Sequence, residues 1–136
     1  FREGTPDLAD RVVLLPHMET QSFFRLLRVA DAVLDPPHFG GGNSTYEAFA
    51  LGVPIVTWPG RFMRGRVTLG AYAQMGMMDL VARSPEEYVD LAVGLASDPG
   101  RRAAIRAKIR ARSCALYEDT AVVSEIGEFL AGTTRA

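Results

Sequence analysis

A single cysteine, a single tryptophan and two histidines stand among 136 residues, and each scarcity closes a route. Cys114 has no second cysteine with which to form an internal disulfide, which suits a reducing compartment, and the cytoplasm is the expectation. His17, His38 and that one cysteine are too dispersed to read as a metal-ligand cluster. No apolar run approaches the length of about 20 residues that crosses a bilayer. The opening FREGTPDLADR lacks the apolar centre of a secretion signal. Neither sign of charge prevails: 15 Lys and Arg oppose 16 Asp and Glu. Nucleic acid and membrane surfaces are therefore not expected as partners, and any ligand must be recognised by a local site. The chain does not begin with Met, and a strand-like run follows almost at once, so a piece of a longer polypeptide is expected.

What is present is a globular mixture, 48% hydrophobic and 23% charged, expected to form one domain over residues 1–136. Short apolar runs alternate with helical patterns. RVVLLP (11–16) reads as a strand, Thr20 to Ala30 as a helix, and AVLDPP (32–37) as a second strand. A glycine cluster, a helix from Ser44 to Leu51 and the strand PIVTWPG (54–60) follow. Val67 to Met75 reads as helical and Leu80 to Ala82 as a brief fourth strand. The expected fold is α/β, a Rossmann-like parallel sheet with helices on both faces. The last third is expected to be helical: one helix from the cap Ser84-Pro85-Glu86-Glu87 to about Ala96, another after Asp98-Pro99, and a third over Val122 to Leu130. The tail GTTRA is expected to fray. Phe23, Phe24, Trp58, Met75, Met77 and Met78 read as core, as do Ile105, Ile109 and Leu116, with Trp58 also close enough to line a site. The basic residues Arg101, Arg102, Arg106, Lys108, Arg110 and Arg112 read as a solvated helix face, with docking to an acidic partner domain as the alternative.

Open parallel sheets bind ligands beyond the carboxyl ends of their strands, so the loops after Pro16, Pro37 and Pro59 are where a site is expected. The segment between the second and third strands is the most informative. Gly40, Gly41 and Gly42 leave backbone N–H groups uncovered, and Asn43, Ser44 and Thr45 follow at a helix start. Unpaired donors and the partial positive charge of a helix N-terminus suit a diphosphate. Glu47, one turn in, is placed to accept hydrogen bonds from the hydroxyls of a ribose. The same Ser44-x-x-Glu47 spacing also matches a capping box, in which Glu47 serves only its own helix. Neither GxGxxG nor GxxxxGK[ST] occurs, so no dinucleotide or P-loop fingerprint decides between them.

RVVLLP, ADAVLDPP, GGNSTYEAF, LGVPIVTWPG, and GRVTLGAYAQMGMMDLVA followed by PEEY occur here in one order. With these motifs, from about Arg11 to Leu130, the chain resembles the C-terminal catalytic half of the O-linked N-acetylglucosamine transferase and SPINDLY-like family, as a bacterial member. The resemblance implies the C-terminal domain of a two-domain GT-B glycosyltransferase. It implies UDP-N-acetylglucosamine as donor, a protein hydroxyl as acceptor, an N-terminal GT-B domain as partner, and no metal. It places the diphosphate against Gly42, Asn43 and Ser44 and the ribose on Glu47. It also puts Arg66 on the phosphates, as a bidentate guanidinium; Arg61 and Arg64 flank the same loop and are weaker candidates by position alone. Uracil is expected beside His17 and Met18, with Arg25 as a stacking partner, and His38 is a further contact candidate. Animal relatives carry a histidine and two threonines at Gly42, Asn43 and Ser44. A lysine and a histidine near the phosphates fall here on Thr20 and Phe23. Backbone donors would therefore carry more of the binding. No catalytic base is assigned, because the acceptor side of such enzymes lies on the other domain. The alternatives are another GT-B enzyme, such as an epimerase or a lipid-linked sugar transferase, and a non-catalytic module. The last would show Glu47 turned to its own cap and the glycine loop closed against the helix.

Overall fold

The computed structural model describes residues 6–133, so the tail Thr134–Ala136 lies outside the described residues. A 3-10 turn over Pro6–Arg11 leads into extended chain and then α1 (Thr20–Val29). β1 (Val33–Asp35), α2 (Asn43–Ala50) and β2 (Ile55–Thr57) follow. Next come a 3-10 turn over Met63–Gly65 and α3 (Val67–Gln74). α4 (Pro85–Ser97), α5 (Pro99–Arg112), a 3-10 turn over Ser113–Leu116 and α6 (Thr120–Thr133) complete the chain. The two strands are parallel, with Val33, Leu34 and Asp35 opposite Ile55, Val56 and Thr57.

The expected first strand does not form. Val13 and Leu14 are 76% and 90% exposed, and no backbone hydrogen bond joins residues 12–16 to β1 or β2. An apolar run becomes a strand only where a ladder accepts its N–H and C=O groups. Here β2 is the strand that pairs with β1, and Leu15 and Pro16 lie beside a cavity near α1 instead. The expected fourth strand contracts to one parallel bridge, Val81 to Thr57, held by Thr57 N–H on the Leu80 carbonyl (3.0 Å) and Ala82 N–H on the Thr57 carbonyl (2.8 Å). The cap of α4 begins at Ser84 and leaves no length for more.

The core lies between β2, the helices α3 and α4 that pack on it, and α2 and α5 beside them: Phe49, Val53, Ile55, Val56, Tyr72, Met77, Leu80, Leu95 and Ile109 are buried. Met75, Ile105 and Leu116 join them, and Phe23 and Phe24 pack at the margin. Met78 departs from expectation at 52% exposure. It follows the buried Met77 in the turn after Gly76, whose φ of +63° ends α3.

Helix ends follow their sequence signals. Ser84 Oγ accepts the Glu87 N–H (3.2 Å), Glu87 returns a carboxylate to the Arg83 N–H (2.7 Å), and Asp98 caps Arg101 (2.9 Å). α2 closes through Gly52 at φ +71°, with Gly52 N–H on the Phe49 carbonyl and Val53 N–H on the Ala48 carbonyl, both 2.9 Å. The basic face of α5 corrects its reading as merely solvated. Arg102 donates to the Leu95 carbonyl (2.6 Å) and pairs with Asp31 (3.0 Å), and Arg112 donates to the Gly76 carbonyl (2.7 Å). Arg106 donates to the Ala30 carbonyl, and Lys108 pairs with Asp79 (2.6 Å). Three arginines thus satisfy the carbonyl ends of α4, α3 and α1, where helix dipoles favour a cation.

Candidate functional site

The loop between β1 and α2 is built from the strand end upward. Asp35, the last residue of β1, is 4% exposed. Its Oδ1 accepts the Gly41 N–H (2.9 Å) and its Oδ2 accepts the Thr57 hydroxyl (2.8 Å). Tyr88 of α4 donates to the Asp35 carbonyl (3.1 Å), and burial raises its phenol above the ordinary value. Gly40 N–H is taken by the Arg64 carbonyl (2.8 Å), so two of the three glycine amides are spent on acceptors of β1 and of the turn after β2.

The next three are not. Gly42 is the N-cap of α2, with no side-chain cap, and the amides of Gly42, Asn43 and Ser44 make no hydrogen bond among the described residues. These are the orphan donors of a helix start, set side by side at the positive end of the helix dipole. Gly42 is exposed, and a Cβ there would meet nothing within 4 Å, so the space before these amides is open. Asn43 and Ser44 are exposed beside it, whereas Thr45 is buried and shares its hydroxyl with Thr68 of α3 (3.3 Å). Thr45 therefore fixes α2 to α3 with its side chain.

The capping box at Ser44 and Glu47 does not form, because the cap falls two residues earlier at Gly42. Among the described residues the Glu47 carboxylate has no hydrogen-bond or ion-pair partner. It lines a cavity of about 400 Å³ together with Leu15, Pro16, His17, Met18, Thr20 and Phe23. A second cavity, of about 380 Å³, adjoins it through Phe23 and Leu26 and reaches Gly41, Ser44 and Thr45. The structure so brings His17, Met18 and Glu47 to one apolar recess, next to the loop amides. Of the two marks of a non-catalytic module, Glu47 turned to its own cap is absent, and the loop is closed only at Gly40 and Gly41.

His38 lies apart, in a cavity of about 390 Å³ shared with Trp58, Arg61 and Arg64. Arg64 donates to the His38 carbonyl (3.2 Å) and lies over the Phe62 ring, 5.0 Å from its centre. Arg66, at the N-cap of α3, donates to the Gly60 carbonyl (3.1 Å) and is exposed. Arg25 stands exposed on α1. Asp35, Thr57 and Tyr88 were not singled out in the sequence. The available signal was an aspartate at a strand's carboxyl end just before a glycine loop.

The closed α/β core with ligand-sized openings at its strand ends matches a solved fold. A point mutant of the Thermobaculum terrenum O-GlcNAc transferase superposes with a TM-score of 0.79 at 32% identity, covering 89% of this chain and 24% of that one. The class is thus the GT-B glycosyltransferase, represented here by a helix-rich domain with a small parallel sheet. The model of glycosyl transferase family 41 matches residues 4–125, and the chain belongs to that family. Among curated relatives, a probable UDP-N-acetylglucosamine–peptide N-acetylglucosaminyltransferase SPINDLY from Petunia hybrida is 33% identical over 99 residues. The UDP-N-acetylglucosamine–peptide N-acetylglucosaminyltransferase of Caenorhabditis elegans is 31% identical over 99 residues. Each match takes 73% of this chain, which spans only 10% and 9% of those proteins. No helix among the described residues is long and apolar enough to cross a membrane.

Proposed function

We propose that this chain is the donor-binding part of an enzyme that transfers N-acetylglucosamine from its UDP conjugate to a serine or threonine hydroxyl of a protein. The observation that carries it is the row of amides at Gly42, Asn43 and Ser44 that are unpaired among the described residues, with the Glu47 carboxylate, likewise unpartnered there, one turn further along the same helix. A diphosphate accepts from the three amides and meets the positive helix end. The two ribose hydroxyls donate to Glu47. Uracil then occupies the apolar recess beside His17 and Met18. Arg66 adds a guanidinium to the phosphates after exchanging its bond to Gly60, while His38 stands in the separate cavity lined by Trp58, Arg61 and Arg64.

In the transfer, the acceptor oxygen forms a bond to the anomeric carbon as the bond from that carbon to the diphosphate oxygen breaks. Negative charge grows on the departing UDP, and donors already fixed in place stabilise it without reorganising. No metal is assigned to this step. The acceptor site, and the base that takes the proton from the attacking hydroxyl, belong to the N-terminal GT-B domain, which is the proposed partner. Exposed, unpaired Cys114 suits the cytoplasm as compartment. Calorimetric titration of the full-length protein with UDP, against ADP and GDP, tests the reading. Selective UDP binding supports it, and equal or absent binding of all three refutes it.

A further inference from the structure

The buried carboxylate under the glycine loop contacts none of the groups assigned to the donor, yet it holds two elements of the site. We propose that Asp35 is a positioning residue that sets which loop amides face the donor diphosphate. The proposal rests on the donor-binding reading of that loop.

The geometry is specific. Oδ1 takes the Gly41 N–H at 2.9 Å, which turns that peptide down toward the sheet. The next three amides, at Gly42, Asn43 and Ser44, are left without hydrogen-bond partners among the described residues. Oδ2 takes the Thr57 hydroxyl at 2.8 Å, so the carboxylate is referenced to β2 as well as to its own strand. Gly40 closes over it: a Cβ at Gly40 would stand 2.9 Å from Oδ1, too close for any real side chain. The Asp35 carboxylate forms no ion pair among the described residues. A buried carboxylate whose hydrogen bonds go to one loop amide and one strand hydroxyl acts as a fixed strut between loop and sheet. Without it, the Gly41 amide is left unpaired and the glycine run is free to rotate, which spreads the row of donors that a diphosphate needs.

The test is UDP and uridine affinity of the full-length protein with Asp35→Ala and Asp35→Asn. Loss of the strut weakens UDP by about tenfold or more, the scale of one hydrogen bond to a charged group. Uridine carries no phosphate, so its affinity stays within about twofold of the parent, a split that general destabilisation does not give. Asparagine keeps a carbonyl oxygen for Gly41 and an amide for the Thr57 oxygen, so it restores UDP affinity to within about threefold. Parent-like UDP binding by Asp35→Ala, or equal loss of UDP and uridine, overturns the proposal. If Asp35→Ala does not fold, Asp35→Asn with Thr57→Val decides: tighter UDP binding in Asp35→Asn alone than in the pair supports the strut, and equality overturns it. A parent protein that binds neither UDP nor uridine refutes the donor reading itself.

Discussion

Replacing Tyr72 with phenylalanine removes one oxygen atom and exposes how β2 is held. Tyr72 is fully buried, and its hydroxyl donates to the Ile55 carbonyl (2.8 Å) and accepts the Ile55 N–H (3.1 Å). It thereby supplies both hydrogen bonds that a further strand residue would make. Its ring stacks edge-on to Phe49, with centres 4.9 Å apart, and phenylalanine keeps that contact. The substitution therefore isolates two buried backbone groups left unpaired, at about 1–3 kcal/mol each. Phenylalanine recovers part of this because it needs no partner, so a net loss of about 2–3 kcal/mol is expected. For a domain of this size that lowers the melting temperature by about 8–12 °C, read by circular dichroism on the 136-residue chain. Burial also pushes the Tyr72 phenol well above its usual range. A raised acid is stabilising below the unfolded value of about 10 and loses that contribution as pH rises beyond it. The gap between parent and Tyr72→Phe is thus constant at neutral pH and narrows above pH about 10. A drop of less than about 3 °C would refute the assignment of the hydroxyl as a strand substitute.

The two glycines before α2 separate folding from binding. Gly41→Ala places a Cβ 2.5 Å from Thr45 Oγ1 and is expected to cost about 1–3 kcal/mol in thermal unfolding, whereas Gly42→Ala meets nothing within 4 Å and costs at most about 1 kcal/mol. In titration with UDP, Gly42→Ala still loses affinity, because its methyl group enters the space before the amides. Gly52→Ala forces a φ of +71° on an L-residue and drives a Cβ to 2.6 Å from Arg110, so chemical denaturation should show a loss of about 1–2 kcal/mol. The hydrogen bond from Lys108, followed by lesser contributions, holds the Asp79 carboxyl below its ordinary value. That contribution is present above the unfolded carboxylate range and is lost as pH falls through the lower folded value. The pair is half-exposed, so Lys108→Met should cost no more than about 1 kcal/mol at neutral pH, and less in high salt, as measured by urea melts.

Elements with strong local signals were legible in the sequence. The α4 cap was written in Ser84, Pro85 and Glu87, and α5 in Asp98 and Pro99. The run RVVLLP was misleading because apolar pattern describes what a segment can bury, while a strand also requires a ladder partner elsewhere in the chain. The basic face of α5 looked solvated because carbonyl ends of other helices carry no sequence signal. In the candidate site, the glycine run and the helix start that follows it were legible, since both are local features, although the cap falls at Gly42 and not at Ser44. Thr45 was placed in the same group by adjacency, but one step around the helix turns its side chain to Thr68. Asp35 escaped notice because its partners lie 6 and 22 residues away.

The central claim turns on the Glu47 carboxylate, which lines the recess without a hydrogen-bond or ion-pair partner among the described residues. The most direct measurement is the UDP affinity of the full-length protein by calorimetry, parent against Glu47→Ala. A free carboxylate that receives two ribose hydroxyls predicts a loss of about 1.5–3 kcal/mol, roughly tenfold or more, with the melting temperature unchanged. Unchanged UDP affinity in Glu47→Ala, in a parent that binds UDP, would contradict the placement of the donor on this loop.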